Sequence, residues 1–244
     1  MAESSELGKA MNIIDRGASS ATALRDMVHS SIWARGLPPD ELQRVITEIV
    51  VRDVPAGQFA CASGERVDHW IGIMRGLLKI GNGSLDGKWT TYTGVSAGSW
   101  FGEGSLLKHE RRRYSAIALR NSKIAYMPRA TFERLYETSL AFSHFLVNQL
   151  NERCGQFLAM LDSDRLLGPE ARTARCLAAQ CNPYLYPGIE RHVEISQEEI
   201  GQLTGLSRQR VNVAMHVLVK AGLVRVETGG LTVTNLDGLR GFPG

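Results

Sequence analysis

From Ile195 to Asn235 the chain reads ISQEEIGQLTGLSRQRVNVAMHVLVKAGLVRVETGGLTVTN. Ser196 and Glu199 have the spacing of a capping box, in which a hydroxyl and a carboxylate each take a backbone N–H that the first helical turn leaves unpaired. The helix so opened turns Ile200 and Leu203 toward a core, and Gly205 closes it. Ser207 can cap a second helix with Val211, Ala214, Met215 and Leu218 inward, leaving Arg208, Gln209, Asn212, Val213 and His216 on the other face. That is helix-turn-helix spacing. Its free face holds the side chains that read a duplex: Arg pairs bidentately with guanine, Gln or Asn with adenine. After Gly222, LVRV and LTVT are expected to pair across Glu227 to Gly230 as a wing. From Ser207 to Arg225 the charged residues are Arg208, Arg210, Lys220 and Arg225, with no acid, whereas Glu190, Glu194, Glu198 and Glu199 lie just upstream. This segregation favours a polyanion at the second helix. A small helical domain with a solvated basic face is the plainer reading; the coincidence of cap, glycine turn, spacing and wing argues for a DNA reader.

Upstream elements must position this module. From Pro55 to about Pro128, short runs of Trp, Ile, Val, Tyr and Thr alternate with glycines, the texture of an antiparallel β-sandwich or barrel, and Asp86-Gly87 between two such runs predicts a hairpin. Before it, PPDELQRVITEIV places Leu42, Val45, Ile46 and Ile49 at helical spacing behind Pro38 and Pro39. After it, Val147, Leu150, Cys154, Phe157 and Leu161 follow at intervals of 3, 4, 3 and 4 residues. This is the a/d seam of a long helix, which either packs on its own sheet or pairs with a second copy. Gly168-Pro169 ends it as a hinge. The expected organisation is an N-terminal arm at 1–30, mobile or briefly helical, a β-rich sensing domain at 31–136, a dimerisation helix at 137–168 and a DNA-binding domain at 169–244. NPYLYPG, between Cys181 and Glu190, reads as a proline-rich surface loop.

The 244 residues carry 43% apolar and 22% charged side chains, which suits a folded protein, and a net charge of +3 permits a nucleic-acid partner without requiring one. No apolar run approaches the ~18 residues of a membrane span, and the first residues show no secretory pattern, so a cytoplasmic protein with reduced thiols at Cys61, Cys154, Cys176 and Cys181 is expected. Nucleophile elbow, Walker loop and HExxH are lacking, and the basic run Lys108 to Arg113 reads as a solvated or phosphate-holding edge, so no catalysis is expected.

EEIGQLTGLSRQRV followed by LVKAGLV closely resembles the winged helix-turn-helix of the Crp/Fnr family, and SWFGEGSLLKHERRRYSAIAL resembles that family's phosphate-binding cassette. The likeness runs from about Leu37 to the end. It implies an α+β chain: a cyclic-nucleotide-binding-type β-roll, a long dimerisation helix and a C-terminal winged helix-turn-helix, working as an allosteric homodimer on a palindromic operator and contacting RNA polymerase, in the family by a loop placed like 181–190. By the same resemblance Gly102 and Glu103, with Gly104 and Ser105 beside them, would hold a phosphate and a ribose hydroxyl. Arg113, ten residues after Glu103, would be the phosphate arginine. The family follows that arginine directly with Ser or Thr; here Tyr114 is interposed before Ser115, and either could take the hydroxyl position. Arg153 and Phe157 would face the effector from the long helix. Counting back from Gly168, Phe157 and Leu158 stand where the family's cyclic-AMP receptor offers hydroxyls to adenine. The effector is thus left among cyclic AMP, a cyclic dinucleotide such as cyclic di-GMP, a non-nucleotide ligand and a vestigial pocket. A haem sensor would have to use the isolated His69, His109 or Cys61, and the iron–sulfur branch lacks its cysteines, since residues 1–36 contain none. The receptor opens its recognition helix with Arg-Glu and adds an Arg four residues on; here Arg208 is kept while Gln209 and Val213 replace the others.

Overall fold

The computed structural model describes residues 20–83, 89–189 and 191–244. Residues 20–30 form helix α1, so the part of the expected arm that is described is helical, and Leu24, Met27 and Val28 are buried in a core. A 3-10 turn at Ile32–Ala34 leads to α2 (Pro39–Glu48), which buries Leu42, Val45 and Ile46 as its spacing predicts. Ile49 is already extended, and the β-branched pair Val50-Val51 opens the first strand ahead of Pro55.

Eight strands follow: β1 (Val50–Val54), β2 (Phe59–Cys61), β3 (His69–Arg75), β4 (Leu77–Gly83), β5 (Trp89–Ser96), β6 (Trp100–Phe101), β7 (Ser115–Ala118) and β8 (Ser122–Pro128), with a short helix α3 (Glu103–Leu107) between β6 and β7. They make two antiparallel sheets, ordered β1-β8-β3-β6 and β2-β7-β4-β5. Asp86-Gly87 lie outside the described residues; the flanking strands β4 and β5 pair with Gly83 opposite Trp89. Strand alternation divides β3 and β8 between two cores. Ile71, Ile73, Ile124 and Tyr126 face the second sheet, with Leu78, Ile80, Val95 and Phe101. Trp70, Ala125 and Met127 face the helices instead, in a cluster with Trp33, Trp100, Phe132, Phe142 and Phe145. The Trp70 and Trp100 rings stack at 4.6 Å, and Trp100 Nε1 donates to Ser31 Oγ at 3.0 Å. Burial on both faces explains why HWIGIMR shows no clean alternation.

Helix α4 (Arg129–Thr138) leads to α5 (Leu140–Leu166), which Ser139 caps by accepting from the Phe142 N–H at 3.2 Å. One face of α5 buries Phe142, Phe145, Leu146, Gln149 and Arg153 against the β-roll. Its other face exposes Val147, Leu150, Phe157 and Leu161. Beyond Gly168 come α6 (Pro169–Gln180), β9 (His192–Val193), α7 (Gln197–Thr204), α8 (Arg208–Lys220), β10 (Val224–Glu227), β11 (Gly230–Val233) and α9 (Leu236–Arg240), with the three strands ordered β10-β11-β9. The segment after Cys181 is a surface loop only in part: Pro183 and Gly188 are exposed, but Leu185 and Tyr186 are buried among β-roll residues, where they find apolar partners. Among the described residues no helix is long and apolar enough to cross a membrane.

Candidate nucleic-acid interface and effector site

The capping box forms as its residues dictate: Ser196 Oγ accepts from the Glu199 N–H at 3.2 Å, and Glu199 Oε2 accepts from the Ser196 N–H at 2.7 Å. Gly205 closes α7 at φ 68°, in the left-handed region where glycine is at no disadvantage. Ser207 Oγ then caps α8 from the Arg210 N–H at 3.4 Å. Val211, Ala214, Met215 and Leu218 are buried, so Ser207, Arg208, Gln209, Asn212, Val213 and His216 stand together on the exposed face. Arg208 and Arg210 form no ion pair among the described residues, which leaves both guanidinium groups available to an outside acceptor. In the wing, Arg225 is held by Glu227 at 2.7 Å, and that cation keeps the Glu227 carboxyl below the ordinary range. Strand β9 had no signal in the sequence; two residues are too few to show a period, and pairing with β11 creates it.

The winged module sits against the β-roll. Arg120 from the β7–β8 turn grips Glu199 with two hydrogen bonds, 2.9 and 2.8 Å, so the capping-box carboxylate serves both domains. Lys79 Nζ donates to Gln202 Oε1 at 3.1 Å.

The cassette assembles around Gly102, whose φ of 100° favours glycine and whose missing side chain admits a neighbour: a Cβ there would lie 2.7 Å from Arg112 Nη1. Glu103 is buried. Its Oε2 accepts from Trp70 Nε1 at 3.2 Å and its Oε1 lies 3.5 Å from Arg153 Nε. Arg153 also donates to the Trp100 carbonyl at 2.9 Å. Desolvation works against the Arg153 charge, but Glu103, Tyr186 and Tyr114 outweigh it and raise its pKa. Tyr114 lies against Phe101, centroids 6.5 Å apart; burial, then the Glu103 charge, raises its phenol. Ser105 is buried, the space beside Gly104 is open, and Ser115 Oγ accepts from the Ser63 N–H at 3.0 Å.

The structure places Arg113 outside this group. It is exposed and forks onto Glu110 at 2.9 and 2.7 Å, which raises the Arg113 pKa and lowers that of Glu110. The guanidinium facing Gly102 belongs to Arg112, only 4% exposed, with Nη2 donating to the His69 carbonyl at 3.4 Å. Phe157 lies on the exposed apolar face of α5, whereas Arg153, about one turn earlier, is buried. Arg112 Nη1 and Arg153 Nη1 are both buried and lack a hydrogen-bond partner among the described residues. Buried unpaired donors are costly. Two of them near one glycine turn suit an anionic ligand. The resemblance pointed to Arg113 by its spacing from Glu103; the chain bends at Arg113-Tyr114, and the packing there turns Arg112 rather than Arg113 toward Gly102. Among the described residues no group of three or more His, Cys, Asp or Glu is placed to hold a metal ion, and all four cysteines are free.

A β-roll with a glycine-glutamate turn, a long helix and a winged helix-turn-helix with an exposed polar reading face define an effector-controlled DNA-binding regulator. Comparison with known proteins agrees. Residues 51–139 match the cyclic nucleotide-binding domain and residues 152–242 the Crp-like helix-turn-helix domain. The cyclic AMP receptor protein of Thermus thermophilus is 27% identical over 198 residues, 81% of this chain and 90% of that protein. The CRP-like cAMP-activated global transcriptional regulator of Mycobacterium tuberculosis is 26% identical over 208 residues, 84% and 93% of the two chains. FixK2 of Bradyrhizobium japonicum shares the fold at TM-score 0.65 and 14% identity, over 80% of this chain and 98% of that one. The chain belongs to the Crp/Fnr family of transcription regulators.

Proposed function

We propose that this chain acts in the cytoplasm as a homodimer on an inverted-repeat operator, gated by a nucleotide held in the β-roll, and that it recruits RNA polymerase. The exposed face of α8 carries the reading. Arg208 is the main base reader, with Gln209 and Asn212 beside it, and phosphate contacts from Arg210 add affinity without sequence information. Glutamine does not accept from a cytosine amine as glutamate does, so the operator departs from that of the cyclic-AMP receptor at the base pair Gln209 meets. The apolar stripe Val147, Leu150, Cys154, Phe157 and Leu161, exposed in one chain, is the surface a second α5 covers. The organisation into arm (1–30), β-roll (31–136), dimer helix (137–168) and winged domain (169–244) belongs to the same reading.

In the β-roll, Arg112 and Arg153 supply the unpaired N–H groups for a phosphate, with Gly102, Gly104 and Ser105 at the turn, Glu103 as the carboxylate and Tyr114 or Ser115 as the hydroxyl. Arg113 faces solvent beside it, and Phe157 serves the seam. A parallel two-fold seam brings the two Cys154 thiols together. Mild oxidation should therefore give a disulfide-linked dimer that Cys154→Ser abolishes, with Cys61 and Cys176 not competing because burial pushes their thiols up to about 11 and about 12. Selection from random DNA should return a two-fold symmetric site with half-sites about one helical turn apart. Recovery of an asymmetric site, or of no enriched site, contradicts the proposal.

A further inference from the structure

The loop between α6 and β9 enters the β-roll from the DNA-binding half. Asn182 Oδ1 accepts from the Tyr184 and Leu185 N–H groups at 2.9 and 3.0 Å, while its Nδ2 donates to Glu152 of α5 at 2.8 Å. Tyr184 stacks on Phe145 at 5.4 Å. Close approach of two glycines lets the loop lie on the β5–β6 turn: a Cβ at Gly98 would meet the Gly188 nitrogen at 3.0 Å. Tyr186 is fully buried among Ile80, Val95, Phe101 and Ala116. Its hydroxyl donates to the Gly94 carbonyl at 2.9 Å, accepts from Gln156 Nε2 at 2.8 Å and lies 3.2 Å from Thr93 Oγ1.

We infer that Tyr186 is a resident occupant of the effector cavity, a ring that the planar base of a ligand must displace. The inference rests on the β-roll being the effector site. The groups around the hydroxyl define what can replace it. Gly94 O calls for a donor and Gln156 Nε2 for an acceptor, both within reach of the one hydroxyl, and the unpaired Arg112 and Arg153 N–H groups suit an anion. An amino-heterocycle carrying phosphate, a purine nucleotide, meets all of these. Tyr186 lies between the end of α6 at Gln180 and the start of β9 at His192, so its expulsion pulls on both of these elements of the winged domain. Ligand affinity is then reduced by the fraction of time the phenol occupies the cavity.

The test uses the full-length protein with cyclic AMP and cyclic GMP as probes. Amide exchange should show 182–189, protected when Tyr186 is docked, exchanging faster once nucleotide is bound. Calorimetry should show Tyr186→Ala binding about tenfold or more tightly than the parent, with a smaller gain in Tyr186→Phe, which keeps the ring and loses its hydrogen bonds. If Tyr186→Ala does not fold, Tyr186→Phe and the exchange experiment decide. Nucleotide bound with 182–189 equally protected, or folded variants that bind neither probe better than the parent, overturns the inference. An Arg153→Ala variant separates the two readings: undiminished binding there shows the nucleotide site lies elsewhere, whatever Tyr186 does.

Discussion

The DNA-reading face and the effector site are built by opposite means. The reading face is built mainly within 196–220, by bonds that span three residues, Ser196 with Glu199 and Ser207 with Arg210, and by one stripe of inward side chains on α8, with Arg120 of the β-roll bracing Glu199 from outside. The proposed effector site draws Trp70, Glu103, Arg112, Arg153 and Tyr186 from five segments, joined by contacts such as Trp70 to Glu103 and Arg153 to Trp100. A site made by neighbours along the chain survives as a motif. One made by distant segments exists only when the whole roll is folded, and its members share partners, so its substitutions should couple while those of the reading face should add.

The largest effect is expected where that difference is sharpest. Glu103→Ala leaves Arg153 buried without its carboxylate and should cost about 3–5 kcal/mol in urea unfolding. A double-mutant cycle with Arg153→Ala should show strong coupling; additive losses would mean the two are not one unit. Arg208→Ala should lose about 1–3 kcal/mol of discrimination on the selected operator, read by anisotropy against a scrambled duplex, with unfolding unchanged. Equal discrimination by variant and parent would remove Arg208 from its role. Gly102→Ala imposes a left-handed conformation on a side chain crowded by Arg112, for a loss of about 1–2 kcal/mol in thermal unfolding, whereas a parental melting curve would show the turn can relax. Ser196→Ala removes one half of the capping box for about 1 kcal/mol, and its effect should add to that of Glu103→Ala.

The same contrast governs what could be read beforehand. The two caps, the Gly205 turn and the inward stripe of α8 are local consequences of residue type, so the helix-turn-helix was legible, while the wing strands run one residue further into the expected connection, with Glu227 paired to Gly230. The helical period of α5 announced a long helix; the seam residues stay exposed, and the helix packs on the β-roll through a different face, that of Phe142, Phe145, Leu146, Gln149 and Arg153. The antiparallel class of the β-rich half followed from its glycine punctuation. The short strand β9 and the early start of β1 did not, since pairing rather than pattern makes them strands. Within the cassette, the choice between Arg112 and Arg113 depends on how the chain bends at Arg113-Tyr114, which tertiary packing decides. The burial of Leu185 and Tyr186 within NPYLYPG is a tertiary fact: proline and asparagine announce a turn, and only the partner surface determines which of its side chains lie in water and which in a core.

The central claim is that occupancy of the β-roll controls the reading face. It is tested most directly by titrating the selected operator with the full-length protein, with and without saturating cyclic AMP or cyclic GMP, and following anisotropy at fixed salt. The account predicts that one nucleotide changes operator affinity by at least about fivefold, the lower end of ordinary allosteric coupling, and that Arg153→Ala removes the change. Operator affinity identical in the absence and presence of a nucleotide shown to bind would contradict it.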